Sequence, residues 1–186
     1  MLMLRLDRSG APSNRSILLL PYKGPALAYA LPAFCAKNMA SLTWLITGCS
    51  SGFGFSLAYR ALQAGHHVVA SSRNPSKTPE LVQQIEKAGG KWVALDVTFS
   101  PEQLQKIVNE YQIDVLVNNA GYSVLGAVED ISDAQAHSQM ETNFFGPLKL
   151  TQAVLPGMRE RRKGTIVNIS SIAGLDGLPT CGLYAG

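Results

Sequence analysis

From residue 42 onward, short apolar runs alternate with stretches of helical period. Residues 42–47 read as a buried strand, followed by a Gly/Ser turn and a helix over about 53–64 that stops at Gly65. Residues 67–71 form a second strand around Val68 and Val69. Thr78-Pro79-Glu80 reads as an N-cap followed by proline at the first helical position, and its helix places Leu81 and Ile85 on one face. Residues 91–95 are a third strand, and Ser100-Pro101-Glu102-Gln103 has the form of a capping box. The helix it opens carries Leu104, Ile107, Val108 and Tyr111 at helical spacing, and residues 113–117 are a fourth strand. A long helical region spans about 133–161, with kinks or breaks expected at Gly146-Pro147 and Pro156-Gly157, before a fifth strand over 165–169.

Strands alternating with helices in this way predict an α/β fold with a doubly wound parallel sheet. Several strands are continuous apolar runs, as expected when helices cover both faces. Before residue 39 the pattern is different. Pro12, Pro21, Pro25 and Pro32 interrupt every apolar run, and neither a helix nor a strand period survives. Residues 1–38 therefore read as a disordered extension or as sequence upstream of a start at Met39. Their Arg-rich, acid-poor composition also fits a targeting peptide, but the proline spacing suits an amphipathic helix badly. Residues 39–186 read as one α/β domain.

The whole chain has 186 residues and a net charge of +3. Five basic residues (Arg5, Arg8, Arg15, Lys23, Lys37) and one acid (Asp7) lie before residue 39. The remainder, with eleven basic and twelve acidic residues, is almost neutral. It gives no support to binding of a nucleic-acid backbone. The one basic cluster there, Arg159, Arg161, Arg162 and Lys163, suits the solvated last turn of a helix. No apolar run is long enough for a membrane span. Cys35, Cys49 and Cys181 have no disulfide or metal spacing, nor have His66, His67 and His137. Free thiols in a reduced, cytoplasmic setting are the simplest expectation.

The first strand runs into Thr47-Gly48-Cys49-Ser50-Ser51-Gly52-Phe53-Gly54. A glycine turn of this kind lets backbone approach a pyrophosphate, and the helix behind it points free N–H groups at the anion. No lysine follows the last glycine, so this is not a P-loop. A tight turn with no ligand remains the plain alternative.

Further stretches make the pattern specific. Asp96-Val97 closes the third strand and Asn118-Asn119-Ala120-Gly121 follows the fourth. Asn143 stands in Thr-Asn-Phe-Phe-Gly, and Ser171 precedes Tyr184 by thirteen residues. In this order and spacing, residues 42–186 resemble the short-chain dehydrogenase/reductase family. The resemblance implies a Rossmann-like sheet and hydride transfer between a nicotinamide and a carbonyl or alcohol carbon. It implies that Tyr184 is general acid/base and also touches the cofactor, that Ser171 holds the substrate oxygen, and that Asn143 holds a water. It places Gly48, Ser50, Ser51, Gly52, Phe53 and Gly54 at the pyrophosphate and Asp96 at the adenine amino group. Val97 would lie against the adenine ring, and Asn118, Ala120 and Gly121 beside the ribose and adenine.

Cofactor choice is read at the end of the second strand. An acid there would bind the ribose hydroxyls of NAD and repel a 2′-phosphate. Ser72 stands in its place and Arg73 follows, which favours NADP(H). Gly174, Leu175, Leu178 and Pro179 suggest an apolar wall and a lipophilic carbonyl or alcohol substrate. The family lysine, four residues beyond the tyrosine, would fall two positions past Gly186. The sheet is accordingly expected to be incomplete at its C-terminal end. An intact relative is expected to be a homo-oligomer. The functional expectation is an NADP(H)-dependent carbonyl/alcohol oxidoreductase, or alternatively a catalytically silent nucleotide-binding fragment of one.

Overall fold

A computed structural model describes residues 2–5 and 40–185. Five parallel strands form the body of the sheet: β2 (Thr43–Ile46), β3 (His67–Ser72), β4 (Lys91–Ala94), β5 (Val115–Asn118) and β6 (Thr165–Asn168). A short strand, β1 (Leu2–Arg5), pairs antiparallel with β6, and the sheet order is β1-β6-β5-β2-β3-β4. This strand corrects the expectation that nothing regular precedes residue 39. Residues 2–5 lie ahead of the first proline, and an unpaired sheet edge accepts any extended backbone. Residues 6–39, including Cys35 and Met39, lie outside the described residues.

The helices are α1 (Gly52–Gln63), α2 (Pro79–Lys87), α3 (Pro101–Asn109), α4 (Asp133–Met140), α5 (Gly146–Glu160) and the short α6 (Gly182–Ala185). Side chains alternate across each strand, so neighbours in sequence serve opposite faces. Leu45, Val69, Leu116 and Ile166 join Leu104 and Val108 of α3 and Leu150, Val154 and Met158 of α5. Ile46, Ala70, Val117 and Val167 join Ala58 and Ala61 of α1 and Ile85 of α2. Both faces are thus covered, and the continuous apolar strands of the sequence have their explanation.

Ser100 closes its capping box with Gln103, whose side-chain oxygen accepts from Ser100 N at 3.1 Å. A second box, Ser132 with Gln135, opens α4. Thr78 behaves differently: it sits at the N-cap of α2, but its hydroxyl caps no amide and is buried without a partner. The expected break at Gly146-Pro147 is a change of winding. Residues Glu141–Phe145 form a π-helical turn between α4 and α5. Pro156 lies inside α5, which runs on to Glu160. The basic cluster after it is partly structural, since Arg161 Nη2 donates to the Ile113 carbonyl at 2.8 Å and Lys163 pairs with Asp114 at 3.4 Å. Among the described residues no helix is long and apolar enough to cross a membrane, and no cluster of potential metal ligands occurs.

The chain winds outward from β2 to β4 on one side and from β5 to β6 on the other. The order reverses between β2 and β5, and an open parallel sheet has its crevice at that point, beyond the C-terminal ends of the strands.

Candidate active site

The loop after β2 and the loop after β5 meet in this crevice. Thr47 joins them. Its hydroxyl donates to the Val117 carbonyl at 3.3 Å and accepts from the amides of Asn119 and Ala120, each at 3.0 Å. Asn119 returns the contact by donating its side-chain amide to the carbonyls of Thr47 (2.8 Å) and Gly48 (3.2 Å). Two of the three glycines serve this packing. A Cβ on Gly48 would stand 2.8 Å from Ala120 Cα, and one on Gly54 would stand 2.5 Å from Asn119 Nδ2. Gly52 is the one that faces open space, with φ +54 and nothing within 4 Å of an added Cβ.

Ser50, Ser51, Gly52 and Phe53 are exposed along the mouth of α1. Ser51 is the N-cap of α1, yet its side chain caps nothing, and no acid stands in the first turn. The first amides of α1 therefore keep unmatched hydrogen-bond donors and the positive end of the helix dipole. That arrangement fits the phosphate groups of a dinucleotide.

Cys49, inside this loop, is fully buried, with its sulfur 3.2 Å from the Ile46 carbonyl. Burial pushes its thiol up to about 12 from an ordinary value of 9.0, against a smaller opposing effect from its backbone hydrogen bond with Ser71. The thiol is thus held neutral and is not a nucleophile. A raised folded-state value means that stability is fully present below pH 9 and is lost as pH rises toward about 12. Urea denaturation across that interval is expected to show a steeper loss for the wild type than for Cys49→Ala, by up to about 4 kcal/mol.

At the end of β3, Ser72 is 4% exposed, and its hydroxyl accepts from the Trp92 indole N–H at 3.1 Å. Arg73 is exposed and forms no ion pair among the described residues. Asn74 turns the chain just beyond, accepting from Ser76 N at 3.1 Å. At the end of β4, one oxygen of Asp96 accepts from Thr98 N (2.9 Å) and Thr98 Oγ1 (2.8 Å), and the other has no partner among the described residues. The Val97 side chain is 4% exposed in the core, where a Cβ on Gly146 would come within 2.8 Å of it.

A cavity of about 690 Å³ opens beside these loops. It gathers the candidate catalytic residues Asn143, Ser171 and Tyr184 with the candidate cofactor residues Asn118, Ala120 and Gly121. The glycine loop, Arg73, Asp96 and Val97 lie outside it. Asn143 sits in the π-helical turn, and its amide spans the Tyr122 backbone. Its Nδ2 donates to the Tyr122 carbonyl at 2.7 Å, and its Oδ1 accepts from Tyr122 N at 3.1 Å. One N–H and one lone pair of that amide remain for other partners. Ser171 caps a short 3₁₀ turn by accepting from Ala173 N at 3.2 Å, so its O–H is free to donate. Tyr184 stands on α6, half-buried.

The expected apolar wall is also corrected. Of Gly174, Leu175, Leu178 and Pro179, only Gly174 lines the cavity; Leu175 and Leu178 point to solvent from the turn after Ser171. The apolar lining comes instead from Met140, Phe144, Pro147, Leu148, Ile169 and Leu183. Gln139 was not legible as a site residue. It is 1% exposed, and its side-chain oxygen accepts from Val124 N, which fixes the loop over the cavity. Its place four residues before Asn143, hence on the same helix face, is the signal that could have found it.

A family model described as short chain dehydrogenase matches residues 43–186. The chain belongs to the short-chain dehydrogenase/reductase family. Among its relatives in that family, oxidoreductase claN of Passalora fulva is 45% identical over 148 residues, covering 78% of this chain and 68% of the relative. The 3-ketodihydrosphingosine reductase of Bacteroides thetaiotaomicron is 41% identical over 145 residues, covering 76% of this chain and 51% of the reductase. Among solved structures, ElxO with NADP bound superposes with a TM-score of 0.71 at 34% identity, over 78% of this chain and 62% of ElxO. The chain spans about half to two thirds of the length of these relatives.

Proposed function

We propose that residues 39–186 hold the NADP(H) site of an oxidoreductase that interconverts a lipophilic carbonyl and a secondary alcohol. The observation that carries this reading is the single cavity lined by Asn143, Ser171 and Tyr184, next to the uncapped mouth of α1. When bound, a nicotinamide cofactor supplies hydride to the substrate carbon or removes it. The other tasks fall to the chain. Ser171 donates its free O–H to the substrate oxygen. Tyr184 gives that oxygen a proton in reduction and takes it back in oxidation. Asn143 holds the Tyr122 loop and keeps one donor and one acceptor for a water. The apolar residues Met140, Phe144, Leu148 and Leu183 exclude water from an otherwise polar cavity and suit a lipophilic chain.

The dinucleotide would lie with its pyrophosphate at Gly48–Gly54, mainly on the amides near Ser51 and Gly52. The free oxygen of Asp96 would accept from the adenine amino group. Asn118, Ala120 and Gly121 would line the passage to the nicotinamide end. With Ser72 turned under and bonded to Trp92, Arg73 is the group presented to a ribose 2′-substituent. An exposed guanidinium with no ion-pair partner favours a phosphate over a hydroxyl. Arg73→Ser is expected to weaken NADPH roughly tenfold while leaving NADH almost unchanged, a loss of the order of one charge-assisted hydrogen bond. Fluorescence titration with each cofactor measures both values.

The activity is tested by following NADPH consumption with a panel of lipophilic ketones. Consumption of NADPH with any member supports the reading. Tight NADPH binding with no turnover on any of them would favour the catalytically silent nucleotide-binding chain instead.

A further inference from the structure

Lys149, on α5, is tied to three oxygens. Its Nζ lies 2.6 Å from Glu141 Oε1, 3.1 Å from the Phe99 carbonyl and 3.3 Å from the Thr98 carbonyl. The ammonium has three donors, and these contacts use all of them. The side chain is only 16% exposed.

Its partners belong to two different parts of the site. Thr98 and Phe99 directly follow Asp96 and Val97, and Thr98 itself donates twice to the Asp96 carboxylate. Glu141 is the first residue of the π-helical turn that carries Asn143. The loop is held a second time where Val97 packs against Gly146, one helical turn before Lys149 on the same helix. A bare carbonyl pair in that loop would otherwise have only solvent to meet. Without the ammonium, the exposed Thr98 and half-buried Phe99 carbonyls would turn to water, and the loop would lose its tie to α5.

We propose that Lys149 is a positioning residue of the nucleotide site, fixing the loop from Asp96 to Phe99 against the helix that bears Asn143. The inference rests on the cofactor reading above, because Asp96 matters only if an adenine lies beside it. Lys149 touches no ligand on this account. It acts on the adenine end of the cofactor through Thr98 and the Asp96 carboxylate, and the nicotinamide end is served by other residues.

The experiment titrates the full 186-residue chain and two variants, Lys149→Met and Lys149→Arg, with three probes: NADPH, adenosine 2′,5′-bisphosphate and reduced nicotinamide mononucleotide. Melting temperatures are recorded alongside. Lys149→Met is expected to bind NADPH and the bisphosphate roughly tenfold more weakly, the effect of about one hydrogen bond to a charged group. Affinity for the nicotinamide mononucleotide stays unchanged. Lys149→Arg, which restores a cation and its donors, is expected to return the bisphosphate to within about threefold of wild type. Unchanged bisphosphate binding in Lys149→Met would overturn the proposal. So would an equal loss for both half-cofactors, or a loss that arginine does not repair, since each of these is what general destabilisation gives. If the wild type binds neither NADPH nor the bisphosphate, the cofactor reading falls and takes this inference with it. That result differs from a wild type that binds and a methionine variant that binds equally well.

Discussion

Thr47→Val is expected to destabilise the protein by about 2–4 kcal/mol and to open the nucleotide crevice. The two side chains have nearly the same shape, so packing of this 1%-exposed residue is preserved. What is lost is the hydroxyl that accepts from both Asn119 N and Ala120 N. Two half-buried amides are then left without an acceptor, each costing about 1–2 kcal/mol, the lower part of the range for a buried group. In a domain of this size the loss corresponds to a melting temperature lower by roughly 4–16 °C. Thr47→Ser keeps the oxygen and is expected to recover most of the stability. Thermal denaturation of the three proteins reads this directly. A valine variant as stable as the wild type would show that the hydroxyl does not join the loops.

Tyr184→Phe is the second large effect. It removes the one of the two cavity-lining phenols whose hydroxyl has no protein partner among the described residues. Tyr122 also lines the cavity, but its hydroxyl is spent on Ser138 Oγ at 2.8 Å. Loss of a general acid/base lowers turnover by about 10²–10⁴-fold. Cofactor affinity is expected to change much less, because most nucleotide contacts are assigned to the glycine loop, Arg73 and Asp96. Steady-state NADPH consumption by wild type and variant separates the two quantities. Equal turnover in Tyr184→Phe would remove Tyr184 from the chemistry and reopen the assignment of the proton donor.

The periodicity carried the fold because buried parallel strands must be apolar on both faces, and those runs survive any detail of packing. Leu45 and Ile46 serve opposite cores, yet both had to be apolar. Capping at Ser100 was legible since both partners lie within four residues. Thr78 does stand at the N-cap of α2, but N-cap identity does not fix side-chain rotation, and its hydroxyl caps no amide. Strand β1 was missed because four residues carry almost no period, and its pairing depends on a distant edge. The positions of Asn143, Ser171 and Tyr184 were readable from motif spacing, and they do share a cavity. The π-helical winding that carries Asn143 was not readable, since no local residue type demands it. The residues after Ser171 were expected to line the cavity, and only Gly174 does, for a related reason. Sequence says which residues are near a site, whereas the facing of each side chain depends on partners such as Gly146.

The most direct test of the account is equilibrium binding of NADPH and NADH to the 186-residue chain, followed by fluorescence. The free donors at the mouth of α1 and the exposed Arg73 predict saturable binding of both, with NADPH the tighter by about tenfold. Binding of neither cofactor, or NADH binding at least as tightly as NADPH, would contradict it.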